Sequence, residues 1–434
     1  MAETAAADRE PARSADRDRA GLTGAAMGEI LFLAHRMPFP PDRGDKIRSC
    51  HMLRRISALA PVHVACFADD EADWSHEPEL AAISASLCLV ARTKSVPVAA
   101  AQALATGKPV SLTAFSSPAI RRFVRETLAT RPISAIFVFS GQMAQYIPED
   151  FTGPVVMDFV DVDSAKFEAY ARAGNPAVRV MYRREANLLR RFEEKIAHRA
   201  TASVLVTDEE ATLFRDRLRH RRGTRVMALP NGIDWRFYDP SGIVPAPDML
   251  RAGPQIVFTG QMDYPPNVAA VEFFARQVMP RVRERFAQAE FNVVGRAPVA
   301  EVQALHGRNG CRVTGTVPDV RPWLAGADLV VAPLLIARGV QNKVLEAMAM
   351  ARPVLATRAA ATGIPARVGQ DLAVADGPED FATHTMTLLA DTALARSMGA
   401  AGRRFVVDRC GWDRALDPLP ALLGADRRGD RHAA

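Results

Sequence analysis

The stretch DLVVAPLLIARGVQNKVLEAMAMARPVLAT, residues 328–357, carries the clearest structural signal in the chain. It opens on an apolar run that reads as a buried parallel strand, crosses a loop containing Gly339, and enters a helix near Asn342. A second apolar run, PVLAT at residues 353–357, follows the helix and reads as the next strand. Strand, helix, strand at this spacing predicts a unit of parallel sheet. The start of such a helix offers unpaired backbone N–H groups and partial positive charge, which suits a diphosphate. Gly339 lets the backbone approach a ligand closely. Lys343 and Glu346 stand three apart, hence on one helix face. A lysine beside the phosphates and a carboxylate one turn deeper, accepting from ribose hydroxyls, would hold a nucleoside diphosphate. A surface ion pair on an ordinary helix is the other reading of these two residues.

The same alternation extends in both directions. Downstream of residue 254, QIVFTG (255–260), FNVVG (291–295), CRVTG (311–315), DLVVAPL (328–334) and PVLAT are strands. The helical stretches between them include residues 268–286 and 343–351. Upstream, EILFLAHRMPFPP (29–41) is a strand stopping at prolines, and residues 45–59 follow at helical spacing. VHVACFA (62–68), SLCLVA (86–91), AIFVFS (135–140), PVVMDFV (154–160) and ASVLVT (202–207) continue that first series, which ends in a turn at VMALPNGID (226–234). The chain therefore predicts an α/β protein of two doubly wound, Rossmann-like domains facing each other across a cleft, with ligands outside the carboxyl ends of the strands. The expected boundaries are 28–237 for the first domain, a Pro-rich linker at 238–254, and 255–395 for the second. A helical segment at 396–422, around Trp412, returns to brace the first domain. Residues 1–27 and 423–434 are expected to be disordered tails.

Composition narrows the classes. The chain has 434 residues, 48% of them hydrophobic, enough for two cores. No run of 18 apolar residues predicts a spanning helix. The five cysteines show no C-x-x-C pair and no histidine at ligand spacing, which fits a reducing cytoplasm and neither a zinc site nor a disulfide framework. The net charge of +6 gathers in Arg183-Arg184, Arg190-Arg191 and residues 215–225. These clusters are either solvated helix faces or a peripheral contact with an anionic membrane face. Neither a G-x-G-x-x-G after the first strand, nor a complete P-loop at residues 106–109, nor a G-x-S-x-G elbow is present.

The run N-K-V-L-E-A-M-A-x-x-x-P-V-L-A-T, residues 342–357, resembles the donor-binding segment of family 4 (group 1) retaining glycosyltransferases of the GT-B fold. LPNGID (229–234) resembles the element preceding their second domain, and FTGQMDYPPNVAAVEFF (258–274) its start. HRMPFPPDRGDKIRS (35–49) with DFVDVDSAKF (158–167) is similar to a branch associated with PEP-CTERM/exosortase sorting and exopolysaccharide synthesis. The likeness covers roughly residues 29–420. It implies transfer of a sugar from a nucleotide diphosphate-sugar to a glycan or polyprenyl-linked acceptor, with retention. It also implies a cytoplasmic enzyme, peripheral to the membrane at most, with no nucleic-acid partner, no cofactor and no required metal. The resemblance makes Gly260, Arg338, Gly339, Gln341, Asn342, Lys343 and Glu346 the donor-binding set, with Lys343 and Glu346 catalytic.

Two departures stand out. Many such enzymes carry two glutamates here, the second resembling Glu346, and the first would fall at Arg338. The family also often places an Arg and a Lys after the first strand of the second domain, where this chain reads Gly260-Gln261-Met262-Asp263-Tyr264. Lys343, together with Arg338, must then balance the phosphate charge.

In the first domain the resemblance makes Gly44 the residue that lets acceptor and donor come close. Lys46 and Arg48 are candidates for an anionic acceptor, or else solvent-facing charges at a helix start. Asp161 is a further acceptor-site candidate. Asp161-Val162-Asp163 matches a D-x-D metal pattern, but the pattern is short. The competing reading ends a strand at Asp158 and caps a helix with Asp163 or Ser164. Two other classes of function remain: a nucleotide-sugar epimerase of similar fold, and a non-catalytic nucleotide-sugar-binding subunit of a polysaccharide assembly complex.

Overall fold

The computed structural model describes residues 27–173, 176–337 and 340–425. Arg338, Gly339 and most of both expected tails lie outside the described residues. Packing divides the chain into two units. The first comprises residues 1–203, 218–225 and 418–434, and the second residues 204–217 and 226–417.

The first sheet contains β1 (Glu29–Ala34), β2 (Val62–Ala68), β3 (Ser86–Ala91), β4 (Ile133–Phe139), β5 (Val155–Val160), β6 (Ala202–Leu205) and β7 (Val226–Ala228). Its order is β3-β2-β1-β4-β5-β6-β7, and β1 pairs in parallel with both β2 and β4. Continuous apolar runs make these strands because helices cover both faces of a parallel sheet, leaving no solvent face to alternate with. All seven residues of β2 are buried accordingly.

The second sheet contains β8 (Gln255–Thr259), β9 (Glu290–Val294), β10 (Cys311–Gly315), β11 (Leu329–Ala332), β12 (Val354–Ala356) and β13 (Ala373–Val374). Its order is β10-β9-β8-β11-β12-β13, with parallel pairs throughout. Phe258, Phe274, Phe291 and Phe381 are fully buried around it. Burying each contributes about 1.5–3 kcal/mol. Each sheet reverses direction of growth once, the first between β1 and β4 and the second between β8 and β11. Such a switch point opens a crevice at the carboxyl ends of its two strands.

Several expected boundaries shift. The helix expected over residues 268–286 runs from Pro265 to Arg285 but widens to a π turn at Phe274–Val278. Pro280 follows at once; it cannot donate to the carbonyl of Arg276, and the helix absorbs its ring by widening. The turn expected near residue 226 contains β7. The stretch read as a linker belongs to the second unit: the Ala246 amide donates to the Pro322 carbonyl at 3.0 Å, and Met249 is buried. Trp412 also packs within the second unit, its backbone filling the space where Gly232 lacks a Cβ. The C-terminal segment joins the first unit from Pro418 onward, and Leu423, expected in a tail, is buried.

Candidate functional site

In the second unit, Gly260 follows β8 and Gly295 follows β9, and the two glycines lie against each other. A Cβ on Gly295 would stand 1.6 Å from the Gly260 carbonyl oxygen, so no side chain fits there. A Cβ on Gly260 would stand 3.0 Å from Lys343 Nζ and 2.8 Å from Asn267 Nδ2. Gly260 is thus the gap through which Lys343 reaches β8. Lys343 begins the helix Asn342–Ala349, which follows β11, so its ammonium sits at the β8/β11 switch point.

Two groups hold that ammonium. Nζ donates to Asn267 Oδ1 at 2.6 Å and lies 4.2 Å from the centre of the Phe258 ring. Asn267, buried, donates in turn to the Gln261 carbonyl at 2.9 Å, which fixes its amide with the oxygen toward the lysine. Burial lowers the Lys343 pKa from 10.5 to about 8, against the opposing pull of Glu346. An ammonium this poorly solvated gains more from an incoming anion than a surface lysine would.

Glu346 lies one turn further along, half-buried. Burial raises its pKa, while a hydrogen bond from the Tyr238 hydroxyl and the charge of Lys343 work the other way. Burial and the Glu346 charge push the Tyr238 phenol up in turn, so Tyr238 stays the donor of that bond. The backbone around Tyr238 is clamped by Arg403, which donates to the Tyr238 carbonyl at 3.2 Å and pairs with Asp239 at 2.9 Å. Arg403 also donates to the Ala349 carbonyl at the end of the site helix. Tyr238 and the helix are therefore fastened together at two points.

Gln341 precedes the helix in extended conformation, without capping it through its side chain, and Asn342 is exposed at its first turn. The sequence expectation thus gathers Gly260, Gln341, Asn342, Lys343 and Glu346 at one place. Asn267 and Tyr238 were not anticipated: one falls just before the helix expected at 268–286, the other in the stretch read as linker. Arg296 was missed too. It donates to Gln261 Oε1 at 3.0 Å, so the loop after β8 has a cation beside it after all.

In the first unit the picture differs from the expectation. Lys46 is 4% exposed and paired with Asp73 at 2.5 Å. Arg48 is 1% exposed and paired with Asp158, itself fully buried, at 2.8 Å. Neither faces solvent or an acceptor. Both are interior ion pairs, where removing one partner typically costs about 3–5 kcal/mol. Asp158 lies within β5 and also accepts from the Val160 amide, so it is committed to the fold. Asp163 and Ser164 start the helix Asp163–Ala173, but the Ser164 amide is taken by Glu193 at 2.9 Å instead of by a local cap. Asp161 remains exposed beside that helix, and Gly44 opens the helix Gly44–Ser57 with nothing within 4 Å of where its Cβ would be.

Residues 253–391 match the family model for glycosyl transferases group 1. A comparison with curated proteins finds no match. Among solved structures, the chain is similar to sucrose-phosphate synthase from Thermosynechococcus elongatus at 17% identity and TM-score 0.59, over 91% of this chain and 98% of that one. It is similar to HepE of Anabaena in complex with UDP at 15% identity and TM-score 0.61, over 92% and 100%. It is also similar to WaaG, a glycosyltransferase involved in lipopolysaccharide biosynthesis, at 16% identity and TM-score 0.58, over 91% and 100%. At these identities the structures establish the fold, and the family match supplies the chemistry. The chain has the GT-B fold of glycosyltransferases, and residues 253–391, within its second unit, match the group 1 glycosyl transferases.

Proposed function

We propose that the protein transfers a sugar from a UDP-sugar to a hydroxyl of a glycan or polyprenyl-linked acceptor in bacterial cell-surface or exopolysaccharide synthesis, with retention, at the cytoplasmic face of the membrane. The observation that carries this reading is the switch-point ammonium of Lys343 with Glu346 one turn deeper. Relatives in fold have been solved with UDP and with UDP-glucose. That supports uracil as the base, as the likeness of residues 35–49 and 158–167 to PEP-CTERM-associated transferases supports the pathway.

Lys343 Nζ and the first turn of its helix would take the negative charge that grows on the departing diphosphate. The Glu346 carboxylate would accept from the ribose hydroxyls. No carboxylate of the described second-unit cluster stands as a nucleophile, so a front-face displacement fits better: the leaving phosphate oxygen receives the acceptor's proton as the new glycosidic bond forms. Incubation with UDP-glucose, UDP-galactose and UDP-N-acetylglucosamine, with and without polyprenyl-diphosphate glycans, tests the assignment. UDP release dependent on acceptor supports transfer. Donor consumption without acceptor would favour the epimerase, and nucleotide binding with no turnover the binding subunit.

The depressed lysine sets a pH dependence. In the free protein Lys343 loses its proton near pH 8, whereas a diphosphate beside it raises its pKa. UDP affinity is therefore full below about pH 8 and weakens by about tenfold per pH unit above it, until the bound-state pKa is reached. Titration calorimetry at pH 7.0, 8.5 and 9.5, in buffers of different ionisation enthalpy, should show this together with proton uptake near pH 8.

Tyr238→Phe tests the positioning of Glu346. The substitution removes one hydroxyl and leaves the Glu346 carboxylate short of a donor, which costs about 1–2 kcal/mol. UDP binding should weaken by about five- to thirtyfold, with a smaller effect on 2′,3′-dideoxy-UDP, because only the intact ribose uses Glu346. Equal losses for both ligands would mean that Tyr238 acts elsewhere.

A further inference from the structure

The first unit carries an apolar surface that neither the donor chemistry nor the core uses. The helix Val96–Thr106, VPVAAAQALAT, contains no charged residue. Only Ala99 and Ala103 are buried. Val96 is 73% exposed, Val98 57% and Leu104 71%. A helix on the outside of a protein ordinarily turns a polar face to water; this one turns alanine, valine and leucine outward. Beside it lies the helical hairpin Asp163–Ala173 and Pro176–Arg199. Arg184 of the hairpin donates to the carbonyls of Ala103 and Lys108, and Glu185 accepts from the Val110 and Ser111 amides, so the two elements are joined. The hairpin adds exposed Val180 and Met181 and a cluster of Phe167, Tyr170 and Tyr182 with ring centres 5.7–6.0 Å apart.

Charge selects the occupant. Residues 92–122 contain Arg92, Lys94, Lys108, Arg121 and Arg122 and no acidic residue. Residues 178–191 contain Arg179, Arg183, Arg184, Arg190 and Arg191 against one carboxylate, Glu185, which is buried under its amide partners. Lys108, Arg121, Arg122 and Arg183 are exposed. Exposed aliphatic and aromatic side chains in a region where cations outnumber the carboxylates Asp163, Glu168 and Glu185 match a bilayer interface bearing anionic headgroups. A second copy of the same surface would bring the same cations together. Among the described residues no helix is long and apolar enough to cross a membrane, so contact here would be peripheral.

We propose that the helix Val96–Thr106 and the adjoining hairpin form a docking face for anionic membrane, with Val96, Val98 and Leu104 entering the interface and Lys108 and Arg183 meeting headgroups. The inference stands apart from the donor chemistry, since none of these residues belongs to the second unit. Co-sedimentation with vesicles of phosphatidylcholine alone and of phosphatidylcholine with phosphatidylglycerol, 1:1, tests it on the full chain. Wild type should bind the anionic vesicles and not the neutral ones, and salt should weaken binding. V98E/L104E should lose at least tenfold in vesicle affinity at any salt, and K108E/R183E at least tenfold at low salt. Both variants should keep the wild-type melting temperature and UDP binding, because the changed side chains are exposed. Wild-type binding unchanged in V98E/L104E would overturn the proposal. So would failure of wild type to bind anionic vesicles, or a concentration-dependent dimer that V98E/L104E abolishes.

Discussion

Lys343→Ala should lower kcat for sugar transfer by about 10²- to 10³-fold, the loss typical of removing one group that stabilises developing negative charge in an active site. The substitution is unusually clean. Holding the ammonium in its half-buried position already costs on the order of 3 kcal/mol, as the fall of its pKa from 10.5 to about 8 records. Deleting it leaves Asn267 with one acceptor to solvate but removes that penalty, so the fold should be unharmed or slightly firmer. A melting temperature at or above wild type, with collapsed turnover, is the expected pair of results. Turnover within threefold of wild type would remove Lys343 from the chemistry.

Gly295→Ala should damage the second unit more than any polar change at the site. The new methyl group would lie 1.6 Å from the Gly260 carbonyl oxygen, and both partners are backbone at the ends of paired strands. No rotamer relieves such a contact. β8 and β9 must separate, which breaks the bond from the Gly260 amide to the Val294 carbonyl and displaces Gly260 from Lys343. A cost of about 3 kcal/mol or more is expected, at the upper end for overpacking. That corresponds to a fall of about 6–12 °C in the melting transition of the second unit. Scanning calorimetry reads it directly, with Gly44→Ala as the contrast. Gly44 faces open space, so its alanine variant should melt like wild type.

The strands were legible because a sheet buried on both faces writes itself as an unbroken apolar run. Val62–Ala68, buried throughout, stands where the sequence puts it, and so do the half-buried edge strands Ser86–Ala91 and Cys311–Gly315. β13 escaped notice because two residues, Ala373 and Val374, make no pattern. The Lys343 and Glu346 pair was visible as a spacing on one helix. Its supports were not: Asn267 meets Lys343 across 76 residues, and Tyr238 reaches Glu346 from a stretch whose prolines read as linker. In the first unit, charge misled. Lys46 and Arg48 follow a Pro-Gly loop and look like surface cations, and only the fold reveals Asp73 and Asp158 waiting for them in the interior. Nothing local distinguishes a buried ion pair from an exposed one, since its other half lies 27 residues away in one case and 110 in the other.

Isothermal titration of UDP into wild type and Glu346→Ala, at pH 7, tests the central claim most directly. Wild type should bind UDP in preference to GDP and ADP, and Glu346→Ala should bind at least tenfold more weakly while melting within a few degrees of wild type. Equal UDP affinity in the two proteins would contradict it, because the nucleotide would then sit away from the helix Asn342–Ala349.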